Sequence, residues 1–140
     1  MSDEYAIQQL LNCYSIGASR ADWDAVLSTF ATDGIWEVPA RGMRLQGHEP
    51  IRATMIAFVG SMSYFVQLNS PATISVQGDR ASARSVIREC GKFADRDEAM
   101  EVLGFYEDEI IRIDGKWKFA RRRFIAAGIH RFALLAGPAF

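Results

Sequence analysis

The chain has 140 residues, is 49% hydrophobic and 24% charged, and carries a formal net charge of −1. That length supports one domain with a real core, and the charge balance offers no basic surface for nucleic acid or an acidic membrane. No apolar stretch is long enough to span a bilayer, because His130 and Arg131 interrupt the C-terminal run.

The first residues, Met1 to Tyr5, are acidic and lack the basic-then-apolar pattern of a leader. Cys13 and Cys90 stand far apart, without metal-ligand spacing, and read as small hydrophobes. A reducing, cytoplasmic setting is therefore the default expectation. No metal or nucleotide cofactor is implied, since no glycine-rich phosphate loop follows a strand and no His/Cys/acid cluster occurs.

Residues Asp3 to Ala18 are predicted as a helix, with Ile7, Leu10, Leu11 and Tyr14 on one face. Asp22 suits the N-cap of a second helix, where Trp23, Val26, Leu27 and Phe30 repeat the spacing and Asp33-Gly34 stops it. Ile35 to Pro39 reads as a short strand, and Arg41 to Gln46 as its hairpin mate. Gly47-His48-Glu49-Pro50 opens a third helix, whose apolar face runs through Ile51, Met55, Phe58 and Met62. His48 belongs to that helix start.

The chain then turns to β structure. Tyr64 to Val76 is a long strand interrupted by Pro71. Gly78-Asp79 turns into a strand over Arg80 to Phe93, and Asp95 to Asp97 is a loop. Met100 to Ile113 and Lys116 to Ala127 are strands joined by the hairpin signal Asp114-Gly115. On the last strand Trp117, Phe119 and Arg121 share a face. Arg121, Arg122 and Arg123 alternate faces, so they form no basic stripe and read as ion-paired and solvated.

Helices first and long antiparallel strands after them define an α+β fold with no internal repeat. Strands this long must twist, and Gly, Pro and bulges let the sheet curl around the helices. The expected result is a cone with an open wide end, suited to a small, mostly apolar ligand.

Four segments carry a family resemblance. They are Tyr14 followed by Ala21-Asp22-Trp23-Asp24; Phe30-Ala31-Thr32-Asp33-Gly34-Ile35-Trp36; Gly47-His48-Glu49-Pro50-Ile51; and Gly104-Phe105-Tyr106-Glu107-Asp108-Glu109 leading to Asp114-Gly115-Lys116-Trp117-Lys118-Phe119. In this order and spacing they resemble the SnoaL-like branch of the nuclear transport factor 2-like superfamily, over nearly the whole chain. The resemblance extends to polyketide cyclases, scytalone dehydratase and ketosteroid isomerase. It implies a cone-shaped barrel of curved antiparallel sheet wrapped around N-terminal helices, and enolisation, dehydration or ring closure of cyclic compounds.

Carried over residue by residue, the resemblance keeps the oxyanion-donating tyrosine as Tyr14. The isomerase base falls at Val38, which moves no proton. The dehydratase aspartate, five residues after the tyrosine, falls at Ser19. Its strand histidine falls at Gln67 or Asn69, and a second histidine near Ser85. His48 and His130 match no catalytic position, and His130 reads as part of an apolar tail.

Each candidate has a structural reading beside its functional one. Tyr14 is an oxyanion donor or a core tyrosine with a satisfied hydroxyl. Gln67 and Asn69 orient substrate or water, or hold structure; being neutral, neither is a strong base. Tyr106 and Asp108 share a strand face that the resemblance makes a pocket lining. Asp108 is the one candidate carboxylate base, or it pairs with Arg121, Arg122 or Arg123 from the neighbouring strand. Trp36 and Tyr64 are expected as aromatic wall, with Val38, Ser19 and Ser85 completing the substrate-binding set.

Three functions follow. One is a dehydratase- or isomerase-like lyase acting on a cyclic ketone or hydroxylated polycyclic compound of polyketide type. The second is a ligand-binding protein that has lost the chemistry. The third is a structural β-type subunit of a ring-hydroxylating dioxygenase, whose sequences Ile35-Trp36-Glu37-Val38-Pro39-Ala40-Arg41 also resembles. The apolar segment Phe124 to Phe140 leads to the expectation of a homo-oligomer or a cover for the pocket mouth.

Overall fold

The computed structural model describes residues 1–135. Helix α1 spans Asp3–Ser19. Ser2 caps it through its side chain, and Ile7, Leu11, Tyr14 and Ala18 form its buried stripe. Cys13 lies off that stripe and is exposed, so it is no core hydrophobe. Helix α2 spans Trp23–Ser28, with the Asp22 carboxylate accepting from Ala25 N–H at 3.1 Å as an N-cap does. Helix α3 spans His48–Gly60, and the His48 ring Nε2 lies 3.2 Å from the carbonyls of Phe30 and Ala31. Its buried face is narrower than the spacing predicts: Ile51 and Met55 are covered, Phe58 is 42% exposed, and Met62 already belongs to the next strand.

The strands are β1 (Phe30–Val38), β2 (Met43–Gln46), β3 (Met62–Asn69), β4 (Thr73–Gln77), β5 (Arg80–Phe93), β6 (Glu98–Ile113) and β7 (Lys116–Ala133). A short 3-10 turn, Pro39–Arg41, separates β1 from β2. The sheet order is β2-β1-β7-β6-β5-β3, with β4 also paired to β5. All neighbours are antiparallel except β1 and β7. The sheet is curved and unclosed, and the helices pack into its concave side.

Three features differ from the sequence reading, each for a local reason. Asp33-Gly34 does not stop α2. The helix ends at Ser28, and Gly34 lies within β1, where an added Cβ would stand 2.9 Å from the carbonyl oxygens of Ala31 and Phe119. The expected single strand from Tyr64 to Val76 divides around Pro71, and both halves pair with β5. Strand β7 carries two extra residues against β6, Ala120 and Ala127, which bulge it. The first bulge breaks simple alternation, so Arg122 turns inward and follows Trp117 and Phe119 on the buried face, while Arg121 does not.

Strand β7 also runs to Ala133, taking up much of the segment expected as a tail. Residues 136–140, the end of that expected cover, lie outside the described residues. Among the described residues, no helix is long and apolar enough to cross a membrane.

Candidate functional site

The concave face of the sheet is polar at its centre. Residues of α1, β3, β5, β6 and β7 meet there. Arg122 is 0% exposed. Its guanidinium makes two bonds to Asp108, Nε to Oδ1 at 3.1 Å and Nη2 to Oδ2 at 3.4 Å. The same group lies 3.7 Å from the centre of the Tyr106 ring, 4.2 Å from Tyr14 and 4.4 Å from Phe119. Pairing and three aromatic faces together offset the cost of burying the charge. The expectation of solvated arginines therefore fails at Arg122, while Arg123 and Arg121 do pair at the rim, with Glu37. Asp108 is held by an arginine, as its structural reading has it. Burial nonetheless pushes its carboxyl up to about 6, against the pull of Arg122.

Above this pair two tyrosines meet. The hydroxyls of Tyr14 and Tyr106 are 3.2 Å apart, and the rings cross edge to face at 5.7 Å. Burial raises both pKa values, that of Tyr106 to about 12, so both hydroxyls stay protonated at neutral pH. Two O–H hydrogens share one contact, which leaves one donor to offer elsewhere.

Gln67 organises the polar centre. Its Nε2 donates to Glu89 Oε1 at 2.9 Å and reaches the Tyr106 hydroxyl at 3.5 Å. Its Oε1 accepts from Ser15 Oγ at 2.8 Å. Its backbone N–H donates to Ser19 Oγ at 2.9 Å, and Ser19 in turn donates to the Ser15 carbonyl. Asn69 Nδ2 donates to Ser15 Oγ at 2.6 Å. The amide of Gln67 is thereby fixed with its donor end on Glu89. Ser85 is buried opposite Tyr106, and Ser85 Oγ, Asn69 Oδ1, Trp36 Nε1 and Arg122 Nη1 are buried with no partner among the described residues.

Glu89 is the carboxylate that the sequence reading passed over. It is 8% exposed, and burial pushes its pKa up to about 7 despite the Gln67 bond and the field of Arg122. Oε2 accepts no hydrogen bond among the described residues. A signal for it was present. Glu89 alternates with Ser85, Ile87, Gly91 and Phe93 on the inward side of β5, so a charge stood on an apolar face. Ser15 carried the same signal, four residues after Leu11 on the buried stripe of α1.

Met62 lies against Gly91, two residues along from Glu89, and Val102 stands opposite Glu89 in the β5–β6 register. Ile7, Val26, Ile51 and Phe119 are fully buried, and Val38, Met55, Phe65, Phe93, Met100 and Phe124 are nearly so.

The structure brings together Tyr14, Tyr106, Gln67, Asn69, Ser19, Ser85 and Asp108 from the predicted set. Val38 is buried and Trp36 is half-buried, both on β1. Tyr64 is a correction: the bulge between Met62 and Tyr64 turns it to the outer face, 54% exposed, so it lines no interior wall. No group of three or more metal-ligating side chains occurs among the described residues.

A curved, unclosed, mainly antiparallel sheet with helices on its concave side and a tyrosine-centred polar interior defines a cone-like α+β fold. A family model, the SnoaL-like domain, matches residues 1–123, and the chain belongs to that family. No curated protein matches the sequence. Among solved structures it is similar to a proposed aromatic ring hydroxylase from Novosphingobium aromaticivorans, at 27% identity and TM-score 0.85, with 93% of each chain covered. A proposed scytalone dehydratase from the same organism is 21% identical, with TM-score 0.83 over 97% of this chain and 94% of the other. A hexachlorocyclohexane dehydrochlorinase from Novosphingobium barchaimii is 20% identical, with TM-score 0.83 over 96% and 94%. These last two likenesses speak for the fold.

Proposed function

We propose that this protein is a lyase or isomerase that moves a proton on a small cyclic ketone or hydroxylated polycyclic compound. The observation that carries the reading is Glu89, a buried carboxyl with a pKa near 7, aligned by Gln67 beside two tyrosine hydroxyls. A base of that pKa takes a proton from carbon and returns it near neutral pH. The spare hydroxyl hydrogen of the Tyr14–Tyr106 pair faces the developing oxyanion. Gln67 and Asn69 orient, Ser19 and Ser85 supply polar lining, and Val38 and Trp36 supply apolar wall. Asp108 is assigned to holding Arg122 and is not the base. Family membership and the likeness to a proposed dehydratase and to a dehydrochlorinase agree with elimination chemistry.

The test is turnover of a panel of cyclic hydroxyketones. Glu89→Gln is expected to lower kcat/KM by about 10²- to 10⁴-fold, and Tyr14→Phe by about 10-fold or more. The wild-type profile is expected to rise as pH passes about 7 and Glu89 ionises. Equal rates in Glu89→Gln would remove it from the mechanism.

A second reading rests on the 27% identity to a proposed aromatic ring hydroxylase: a non-catalytic subunit or binding component of a ring-hydroxylating system. It predicts that the protein purifies in a tight complex with an iron–sulfur partner and that Glu89→Gln changes no rate.

A further inference from the structure

A row of hydrogen bonds crosses the interior from β3 through α1 to β5, and each bond in it has a fixed direction. The row is anchored on a main-chain oxygen. Asn69 Nδ2 donates to the Leu11 carbonyl at 3.3 Å and to Ser15 Oγ at 2.6 Å. A carbonyl only accepts, so Asn69 keeps its nitrogen on this side, even though its own Oδ1 is left buried without a partner among the described residues. Ser15 Oγ has a single hydrogen, and it goes to Gln67 Oε1 at 2.8 Å. The Gln67 amide is then committed. Its Nε2 points away from Ser15, to Glu89 Oε1 at 2.9 Å and to the Tyr106 hydroxyl at 3.5 Å. The main chain of Gln67 is held as well, because its N–H donates to Ser19 Oγ at 2.9 Å. Ser15, Gln67 and Glu89 are 6%, 5% and 8% exposed, so water is a poor substitute for any of these partners.

We infer that Asn69 and Ser15 are positioning residues for Glu89, fixing the row so that Oε1 always accepts and Oε2 alone takes up and returns the proton. A reversed Gln67 amide would turn its oxygen to Glu89, and only a protonated Oε1 could answer it. The row as built therefore favours the ionised carboxyl and keeps the proton off Oε1. Its consequence for turnover rests on the reading of Glu89 as the base, whereas its consequence for the titration of Glu89 does not. The other titratable or charged groups about Glu89 are Tyr14 on α1, Tyr106 on β6 and Arg122 on β7, the last held by Asp108. All of them stay in place when Ser15 or Asn69 is replaced by an uncharged residue, so a changed titration reports the row.

The test is the titration of the Glu89 carboxyl, followed by NMR of isotope-labelled protein and assigned by the signal lost in Glu89→Gln. Ser15→Ala frees the Gln67 amide to reverse and is expected to raise the midpoint by about one pH unit, the size of one hydrogen bond. Asn69→Leu frees Ser15 to accept from Gln67 and is expected to raise it by about the same amount. Because Asn69 acts through Ser15, the double variant is expected to move no further than either single one. Ser15→Thr keeps the hydroxyl and is expected to titrate as the wild type does. The rise of kcat/KM with pH on the cyclic hydroxyketones should move up with the midpoint, whereas a purely structural role would lower the rate at every pH and leave the midpoint in place. Asn69→Leu removes no hydroxyl from the helix, so it decides the matter even if Ser15→Ala fails to fold. An unmoved midpoint in Asn69→Leu overturns the inference, as does a double variant shifted by the sum of the two. Midpoints that move as expected, with Glu89→Gln still turning over the ketones at the wild-type rate, support the row and remove Glu89 as the base.

Discussion

Arg122 and Asp108 hold opposite charges with no solvent on either side chain. Neither is stable there alone. Removing one leaves the other buried and uncompensated, a cost of about 3–5 kcal/mol. Arg122→Met leaves Asp108 buried without its cation, so urea denaturation at pH 8, above the Asp108 value of about 6, is expected to show a loss of about 3 kcal/mol. Replacing both, as Asp108→Leu with Arg122→Met, is expected to recover most of it, because packed apolar side chains serve such a site about as well. A double mutant no more stable than Arg122→Met would assign the loss to the aromatic contacts of Arg122 and not to its charge. The pairing itself was legible in the sequence, since Asp108 faces a run of three arginines across a hairpin. Which arginine turns inward was not, because an Ala at position 120 does not announce a bulge. Glu89 shows a different limit. Alternation put it on the inner face, yet a charged residue in a strand is ordinarily read as solvated. Its stability inside depends on Gln67 and Ser15, which come from elements 22 and 74 residues away in sequence.

At the scale of elements, the joint between β1 and β7 fixes how the helical layer meets the sheet. Gly34 sits on that joint with no room for a side chain, facing backbone oxygens of Ala31 and Phe119 that cannot step aside. Gly34→Ala is expected to cost about 1–3 kcal/mol, the usual range for overpacking. Gly60, the last residue of α3, has open space around its Cβ position, and Gly60→Ala is expected to be neutral or stabilising by up to about 1 kcal/mol. Thermal melts of the pair separate a steric requirement from a general dislike of change. The contrast also explains which boundaries sequence could locate. Strand β5 begins and ends where predicted, because Gly78-Asp79 turns the chain before it and a polar loop follows it. The start of β1 depends instead on pairing with β7, a contact that no local pattern carries, whereas Pro71 marks the break between β3 and β4 without revealing that both halves pair with β5. The end of β7 at Ala133 is likewise set by the length of β6 beside it.

For the whole molecule, two buried carboxyls make stability and the proposed activity run in opposite directions with pH. Glu89 stands near 7 against an ordinary value of 4.5, and Asp108 near 6 against 3.8, both raised chiefly by desolvation. A carboxyl raised in the folded state binds its proton more tightly folded than unfolded. Its contribution to stability is complete below the ordinary carboxylate range and is lost as pH rises through the folded-state value. Moving Glu89 from 4.5 to about 7 corresponds to about 3 kcal/mol. The melting temperature is therefore expected to fall between pH 5 and pH 8. Glu89→Gln, which cannot ionise, is expected to flatten most of that fall and to exceed the wild type at pH 8. Turnover by the wild type should rise over the same interval, because only ionised Glu89 accepts a proton. A single substitution that flattens the melting profile and abolishes turnover would place both effects on one carboxyl. If Glu89→Gln left the melting profile as steep as before, the burial of Glu89 would not be the source of the pH dependence, and Asp108 would be the remaining group to substitute.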